Sequence, residues 1–225
     1  MHYTIENHKK QQGDSIMIFD DISLNLQAGK AKVVKELVKQ AIDEGHSAQD
    51  ILNKGLLHGM NIIGEKFRLN EVFVPEVLVA ARAMNQGSAL LKPLLAAEGA
   101  TAVGKVALGT IKGDLHDIGK NLVRMMMESK GLEVIDLGSD VPAEVFVETA
   151  IQENCQIIAV SALLTTTMNN MADVVKAAEA AGIRDRVKIM LGGAPLTEAF
   201  AETIGADICT LDATSAAEAA VRFCQ

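Results

Sequence analysis

The chain lacks several features that would place it in a common class of protein. No apolar run among its 225 residues is long enough to cross a bilayer, and the polar N-terminus has no apolar signal-peptide core. Acidic residues prevail, with 29 Asp and Glu against 21 Lys and Arg, which argues against nucleic acid as the main partner. These absences predict a cytoplasmic protein with neither a membrane nor a nucleic acid as partner.

Cysteine and aromatic residues are also scarce. The three cysteines, Cys155, Cys209 and Cys224, form no CxxC pair and are odd in number, which predicts buried thiols in a reducing compartment rather than a disulfide framework. Trp is absent and Tyr occurs once, while ten methionines are available to fill gaps in the core. With 49% hydrophobic residues, the chain can bury a substantial core in one large or two small domains.

The first hundred residues carry a helical pattern after a polar start. Residues 1–20 show no periodicity and predict a flexible arm, in which Met17 is an alternative native start. Between residues 21 and 98, apolar residues recur at helical spacing. Ser47, with Asp50 three residues on, resembles a capping box. Short loops between these helices favour antiparallel neighbours, so we predict a four-helix bundle.

A change of pattern follows this bundle. Residues 99–104 are small and uncharged, which predicts a linker that can act as a hinge. From residue 105 to 225, short apolar strands alternate with helical runs, a pattern typical of a doubly wound parallel sheet. The predicted strands are Val106–Ile111, Glu133–Asp136, Ile157–Ser161, Val187–Leu191 and Asp207–Thr210. The predicted helices are Ile118–Lys130, Ala143–Glu153, Asn169–Ala181, Thr197–Ile204 and Ser215–Phe223. Five strand–helix units fit the flavodoxin-like, Rossmann-type order, so the whole chain is predicted to be a two-domain α+β protein.

The loop after the first predicted strand concentrates the chemistry of the chain. It reads Gly109-Thr-Ile-Lys-Gly-Asp-Leu-His-Asp-Ile-Gly-Lys-Asn121, and ligands of open parallel sheets gather at this edge. A histidine can offer one ring nitrogen to a metal while a carboxylate fixes the other, and Asp114 is placed to do this for His116. Taken alone, the loop fits equally well a capping Asp114 beside an ordinary loop histidine.

Two other interpretations of this loop fail. A Walker A loop needs four residues between its glycines and then Lys-Ser/Thr, whereas Gly113 and Gly119 enclose five and Asn121 follows Lys120. A phosphohydrolase metal site would need further ligands on helices. The other histidines are poorly placed to supply them; they are His2, His8, His46 and His58.

Three elements in register resemble the cobalamin-binding signature of methionine synthase and the corrinoid methyl-carrier proteins. The signature reads Asp-x-His-x-x-Gly, then Ser-x-Leu, then Gly-Gly. It falls here on Asp114, His116 and Gly119, on Ser161 and Leu163, and on Gly192 and Gly193. The intervening stretches, 120–160 with 41 residues and 164–191 with 28, are the gaps that the family keeps.

The resemblance implies that cobalamin, as methylcobalamin or cob(I)alamin, binds in the sheet domain with its dimethylbenzimidazole tail displaced from cobalt and buried. His116 would be the lower axial ligand of cobalt, Asp114 would hydrogen-bond its other ring nitrogen, and the Thr167 hydroxyl would complete the relay. Ser161 matches the position that hydrogen-bonds the buried benzimidazole. The other implied cofactor contacts in this domain are Gly113, Asp117, Ile118, Gly119, Leu163, Thr165, Gly192, Gly193 and Ala213.

The helical domain carries its own resemblance to the cap domain of this family. It rests on Gly59-Met-Asn-Ile-Ile-Gly-Glu-Lys-Phe67 and Phe73-Val-Pro-Glu-Val-Leu78. Phe67 and Val74 match the two apolar residues that cover the methyl group on the upper face of the corrin. Val74 departs from the leucine of methionine synthase, which implies a looser cap. Ordinary bundle core is the alternative for both residues.

The resemblance implies a non-catalytic corrinoid subunit of one-carbon metabolism. It would carry a methyl group on cobalt from a substrate-specific corrinoid methyltransferase to a second methyltransferase acting on tetrahydrofolate or a thiol, and a reductive activase is a third expected partner. One alternative is a cobalamin-dependent sensor or regulator, which usually carries a DNA-binding domain. The other is a mutase subunit, which has the motif without the helical cap.

Overall fold

The computed structural model describes residues 17–97 and 102–225, which belong to two compact units. The division falls between Thr101 and Ala102. Residues 1–16 of the predicted arm, and residues 98–101 at the end of the predicted bundle and in the predicted linker, lie outside the described residues. Each unit is described by itself.

Helices and turns make up the described part of the first unit. Helix α1 spans 17–27, α2 spans Ala31–Asp43, and α5 spans Val74–Ala97. Between them, α3 (Ala48–Asp50), a π-helical stretch (Ile51–Leu57) and α4 (His58–Arg68) run on without a break. This confirms the predicted N-terminal helical domain, with four helical stretches within residues 17–97.

Local signals set the ends of these helices, among them the predicted cap at Ser47. The Ser47 hydroxyl accepts a hydrogen bond from the Asp50 amide at 3.1 Å, which satisfies one of the free N–H groups at the start of α3. Gly45, with φ of 85°, follows the end of α2 in the left-handed conformation that favours glycine. Pro75 lies in the first turn of α5, where its missing N–H costs little.

Two features of this unit differ from the prediction. Residues 17–20 are helical rather than part of an arm, because Ile18, Phe19, Ile22 and Leu26 form a buried apolar stripe at helical spacing. The π-helical stretch was not predicted, since a period of 3.6 residues cannot distinguish it from an α-helix. In this stretch Gly55 meets α1 so closely that an added Cβ would lie 3.0 Å from a methyl group of Ile22.

A five-stranded parallel sheet forms the centre of the second unit, residues 102–225. Its strands are β1 (Lys105–Ile111), β2 (Glu133–Val141), β3 (Ile157–Ser161), β4 (Lys188–Gly192) and β5 (Ile208–Thr210). Their order is β2-β1-β3-β4-β5, the flavodoxin-like order that the alternation of strands and helices predicts. Six of the seven residues of β1 are buried, as expected for a central strand of a covered parallel sheet.

Each strand is followed along the chain by one or two helices. They are α6 (Ile118–Ser129), α7 (Ala143–Gln152), α8 (Thr165–Met168), α9 (Met171–Ala180), α10 (Glu198–Ile204) and α11 (Ala213–Cys224). The short α8 was not predicted. Helix α11 begins two residues before its predicted start, because the Asp212 carboxylate accepts a hydrogen bond from the Ser215 amide at 2.8 Å and caps it.

Strand β2 is longer than predicted and pairs irregularly with β1. The prediction ended it at Asp136, but it continues to Val141. Leu108 pairs with Asp136, Gly109 with Gly138, and Ile111 with Val141, so the register shifts twice. The polar residues in this stretch conceal the strand because they interrupt its apolar pattern.

The predicted linker is also too long at its C-terminal end. The Val103 amide donates to the Gly131 carbonyl at 3.0 Å, and the Glu133 amide donates to the Gly104 carbonyl at 2.9 Å. An added Cβ at Gly104 would lie 2.2 Å from Sγ of Cys224. Residues 102–104 therefore belong to the sheet unit. The close packing at Gly104 is possible only because glycine has no side chain.

The cysteines agree with the sequence-based prediction of unpaired thiols. All three are free, with Cys155 and Cys209 buried, and burial raises the pKa of the Cys155 thiol to about 11. Among the described residues, no helix is both long and apolar enough to cross a membrane.

Candidate functional site

The residues of the first motif lie in the turn between β1 and α6. Gly113, with φ of 87°, turns the chain after the strand, and Asp117 precedes α6. The Asp114 side chain is fully buried, whereas the His116 side chain is 51% exposed. The loop thus presents an accessible imidazole beside a carboxylate that water does not reach.

Asp114 accepts hydrogen bonds on both carboxylate oxygens. Its Oδ1 lies 2.7 Å from Nδ1 of His116 and 3.0 Å from the His116 amide nitrogen. Its Oδ2 receives the amides of Leu163 at 2.8 Å and Leu164 at 3.1 Å, and the Thr167 hydroxyl at 3.0 Å. The loops after β1 and β3 therefore meet on one buried carboxylate.

Opposing effects act on the ionisation of Asp114. Burial tends to raise the pKa of this carboxyl, but the hydrogen bonds from His116, Leu163 and Leu164 outweigh it and hold the pKa well below its usual range. Asp114 is therefore an anion at neutral pH. Because an ionised carboxylate only accepts hydrogen bonds, Nδ1 of His116 is the donor in its contact with Oδ1, and Nε2 is the ring nitrogen that this contact leaves accessible.

Thr167, the predicted third member of the relay, lies beside Asp114. It is buried in α8, and its hydroxyl lies 3.0 Å from both Asp114 Oδ2 and the Leu164 carbonyl oxygen. Its methyl carbon is the nearest atom, at 3.2 Å, to a Cβ built on Gly113. Threonine thus supplies the donor and also packs against the turn that carries Asp114.

The second and third motifs lie at the same edge of the sheet. Ser161 ends β3 and pairs in register with Gly192 at the end of β4. Gly193, with φ of 141°, approaches the Ala162 carbonyl so closely that an added Cβ would lie 1.8 Å from its oxygen. The Gly-Gly pair therefore lets two loops meet through backbone alone.

Large apolar side chains are exposed at the start of α6 and in the loops after β1 and β5. Ile118 is 79% exposed, Leu115 73% and Leu211, in the loop after β5, 86%. No atom lies within 4 Å of a Cβ built on Gly119, so space is open beside the first turn of α6. Leu163 and Thr165 are exposed in the loop after β3, while Ala213 is buried at the start of α11.

The two residues predicted for the helical cap lie near one turn of the first unit. Phe67 is in the last turn of α4, and Val74 begins α5. Both are partly buried, which separates them from the fully buried core of the bundle. Leu69 and Phe73, in the same turn, are 50% and 63% exposed, so this end of the unit is apolar.

The donor set tests which metal group fits this site. Within residues 17–97 and 102–225, no three His, Cys, Asp or Glu side chains are grouped to hold a metal ion, which removes the phosphohydrolase interpretation. His116 offers a single nitrogen, so a metal there must bring its remaining ligands with it. A cobalt ion already enclosed in a corrin meets that condition, and the exposed Ile118, Leu115 and Leu211 suit its largely apolar macrocycle.

Comparisons with known proteins agree with this donor set. The family described as "B12 binding domain" matches residues 104–221, and a second family with the same description matches residues 18–92. The chain is a cobalamin-binding corrinoid protein. It is 43% identical to trimethylamine corrinoid protein 1 of Methanosarcina acetivorans, over 81% of this chain and 86% of that one. It is also 43% identical to the dimethylamine corrinoid protein of Methanosarcina barkeri, over 83% and 88%.

Solved structures support the same family. The corrinoid protein resembles a chain in the crystal structure of the methanol:cobalamin methyltransferase complex MtaBC from Methanosarcina barkeri, with a TM-score of 0.84 and 28% identity. That match covers 92% of this chain and 80% of the other. These comparisons confirm the predicted family, fold class and cofactor, whereas the roles of individual site residues stay predictions.

Some residues of the site have no counterpart in the sequence-based prediction. The Leu164 amide and the Thr110 hydroxyl, which donates to the His116 carbonyl at 2.9 Å, both hold the loop. Leu115 and Leu211 were also missed. Thr110 had one signal, since it is the polar residue of an otherwise apolar buried strand, and Leu211 stands out only once its exposure is known.

Proposed function

We propose that this corrinoid protein carries a methyl group between two methyltransferases, and that the donor is a methylated amine. This proposal rests on two hydrogen bonds, which link His116 to Asp114 and Thr167 to Asp114. They leave one imidazole nitrogen accessible at the carboxyl edge of the sheet. When bound, the corrinoid supplies a cobalt ion that can accept and release a methyl group. The chain itself contributes binding, orientation and exclusion of water.

His116 would hold the cobalt through Nε2. Asp114 fixes the tautomer and the ring orientation, because its Oδ1 receives the Nδ1 proton. Three further donors on Oδ2, from Leu163, Leu164 and Thr167, share the negative charge and limit how strongly Asp114 draws that proton. These contacts hold the carboxylate in the position from which it would orient the imidazole.

The loops after β3 and β4 would receive the nucleotide tail of the cofactor. Ser161 would hydrogen-bond the benzimidazole, and Gly192 and Gly193 offer bare backbone for a close approach. The open space at Gly119 would admit the tail beside α6. Thr165 and Ala213 would complete the lining.

The apolar turn between α4 and α5 would shield the methyl group. Phe67 and Val74 would lie over the upper face of the corrin and exclude water, which suppresses side reactions of a strongly nucleophilic metal centre. The exposed side chains of Leu69 and Phe73 would extend this apolar cover.

The choice of donor rests on the relatives. Proteins named for trimethylamine and dimethylamine share 43% of residues with this chain, whereas the chain of the methanol complex shares 28%. Donor specificity is expected to reside in the first methyltransferase. The second methyltransferase would pass the methyl group to a thiol or to tetrahydrofolate, and a reductive activase would restore oxidised cofactor.

The test begins with purified full-length protein reconstituted with hydroxocobalamin, reduced, and treated with ¹⁴C-methyl iodide. We expect one equivalent of cofactor and of label to stay with the protein. Amine-specific and methanol-specific methyltransferases are then compared as donors, and thiol and tetrahydrofolate methyltransferases as acceptors. Absence of binding by folded protein would contradict the carrier role, and methylation from methanol alone would contradict the amine donor.

A further inference from the structure

The end of strand β2 holds the loop that carries His116. Oδ1 of Asp140 accepts a hydrogen bond from the Gly113 amide at 2.7 Å. In return, the Asp140 amide donates to the Asp114 carbonyl at 3.0 Å. Both contacts fall on the two residues that lead the chain into the histidine turn.

Asp140 adopts an uncommon conformation to make these contacts. Its φ is 58°, in the left-handed region where aspartate is one of the few side chains tolerated. Such backbone conformations persist where the surrounding structure imposes them, and they cluster at functional sites. The register between β1 and β2 shifts between Leu108 and Gly109 and again between Gly109 and Ile111, and the second shift spans Asp140. Irregular pairing of this kind re-aims side chains beside active sites.

A second carboxylate of β2 holds the chain on the other side of His116. Asp136 forms an ion pair with Lys120, whose side chain is only 2% exposed, and Arg124 Nη1 lies 2.6 Å from its other oxygen. The Gly138 amide donates to Asp136 Oδ1 at 3.0 Å. The first turn of α6 is therefore fixed to the same strand that fixes Gly113 and Asp114.

We propose that Asp140 is a positioning residue for His116. Asp140 holds the start of the histidine turn, and the Lys120–Asp136 pair holds its end. This inference rests on His116 as the axial ligand under the proposed function. Asp140 acts on His116 through its hydrogen bonds to Gly113 and Asp114. It restricts the turn, so that Nε2 is presented for ligation without a further ordering step.

Three substitutions separate the acceptor from the backbone conformation. Asp140→Asn keeps an oxygen acceptor and tolerates φ of 58°; Asp140→Gly keeps the conformation but removes the acceptor; Asp140→Ala loses both. Asp140 is exposed, so all three variants should fold. Ser139→Ala, at an exposed neighbouring position, is the matched control.

Two measurements on the full chain test the proposal. In cofactor-free protein, amide hydrogen exchange at Gly113 should be about 10-fold faster in Asp140→Ala and Asp140→Gly, as expected for loss of one hydrogen bond. Asp140→Asn and Ser139→Ala should stay near wild type. In reconstituted, reduced protein, the absorption spectrum should show a larger histidine-off fraction in the Ala and Gly variants, with rescue by Asn.

The outcomes distinguish this proposal from the proposed function. If His116→Ala changes the spectrum but Asp140→Ala and Asp140→Gly do not, the positioning role is overturned and the axial ligand stands. Wild-type behaviour of Asp140→Gly with a defect in Asp140→Ala would likewise overturn the role of the acceptor. If His116→Ala leaves the spectrum unchanged, the proposed function fails and the positioning role fails with it.

Discussion

Oδ1 of Asp114 lies 2.7 Å from Nδ1 of His116, and the carboxylate is fully buried while the imidazole is half exposed. The pair joins the buried carboxylate of Asp114 to an imidazole ring that a ligand can reach. Since the Asp114 carboxylate also receives donors from the loop after β3, movement of either loop alters the imidazole. The orientation of the His116 ring is thereby linked to the packing of the sheet edge.

Replacing the histidine tests its role as a ligand. In His116→Ala, the reconstituted and reduced protein should lose the histidine-on absorption spectrum, because the substitution removes the nitrogen that would reach cobalt. The folded state should be retained, since the ring is half exposed. His58→Ala, which removes an exposed histidine from α4, is the control and should match wild type. An unchanged spectrum in His116→Ala would overturn the axial assignment.

The buried carboxylate of Asp114 should make the free energy of unfolding depend on pH in the acidic range. The pKa of Asp114 is lower in the folded chain than in the unfolded chain. Its contribution is therefore complete above the ordinary carboxyl pKa of about 4 and is lost as pH falls from there through the folded value. Urea unfolding between pH 7 and pH 3 should show a shallower decline for Asp114→Asn than for wild type.

The asparagine variant should also be less stable at pH 7. It places an NH₂ group among donors that need an acceptor, and unmet hydrogen bonds to a charged group cost about 1.5–3 kcal/mol each. Asp185→Asn, at an exposed position in the turn before β4, should follow the wild-type curve. A decline in Asp114→Asn as steep as in wild type would show that Asp114 does not carry the acid sensitivity.

The hydroxyl of Thr167 should matter more than its methyl group. Thr167→Val keeps the shape but removes the donor to Asp114, and loss of one such bond should lower the free energy of unfolding by about 1 kcal/mol. Thr167→Ser keeps the donor and should retain the spectrum of the bound cofactor. Equal cofactor spectra for Val, Ser and wild type would remove Thr167 from the relay.

Gly193 of the Gly-Gly pair should be intolerant of a side chain. In Gly193→Ala the new Cβ would collide with the Ala162 carbonyl, and φ of 141° would be strained. We expect a loss of about 2 kcal/mol or more in the free energy of unfolding, within the range of overpacked or strained sites. Gly182 also has a positive φ, but no atom lies within 4 Å of an added Cβ. Gly182→Ala therefore measures the effect of the backbone conformation alone and should lower the free energy of unfolding by less.

Substitutions at Gly119 should distinguish an effect on folding from an effect on cobalamin binding. Nothing lies within 4 Å of a Cβ added there, and alanine is about 0.5–1 kcal/mol better than glycine inside a helix. Gly119→Ala should therefore leave the free energy of unfolding unchanged or raised. Gly119→Leu should still fold but bind cobalamin more weakly, as measured by titration with hydroxocobalamin, because it would fill the space proposed for the tail. Wild-type affinity in Gly119→Leu would contradict that placement.

The sequence predicts the site best where its residues are close in the chain or in register. Asp114 and His116 are two residues apart, and Ser161 pairs with Gly192 because both end neighbouring parallel strands. The sheet order likewise follows from strand–helix alternation. These relations depend on local pattern and simple topology, which are visible in one sequence.

Other parts of the site depend on information that a sequence does not show directly. The Leu163 and Leu164 amides hold Asp114 through backbone atoms, which every residue except proline has. Asp140 reaches Gly113 only because the register of β2 shifts twice, and such shifts leave no periodic signal. The π-helical turn at Ile51–Leu57 was missed for the same reason, since its apolar residues also satisfy an ordinary helix.

All the site loops of the sheet unit follow the carboxyl ends of strands, so the opposite edge is left to turns alone. There Asn154, Gly182 and Gly205 hold positive φ, and Asp185 is exposed. Burial raises the pKa of all three native thiols, so they should react slowly with maleimides. Asp185→Cys would thus add an exposed thiol for surface immobilisation at the edge of the sheet opposite the binding loops.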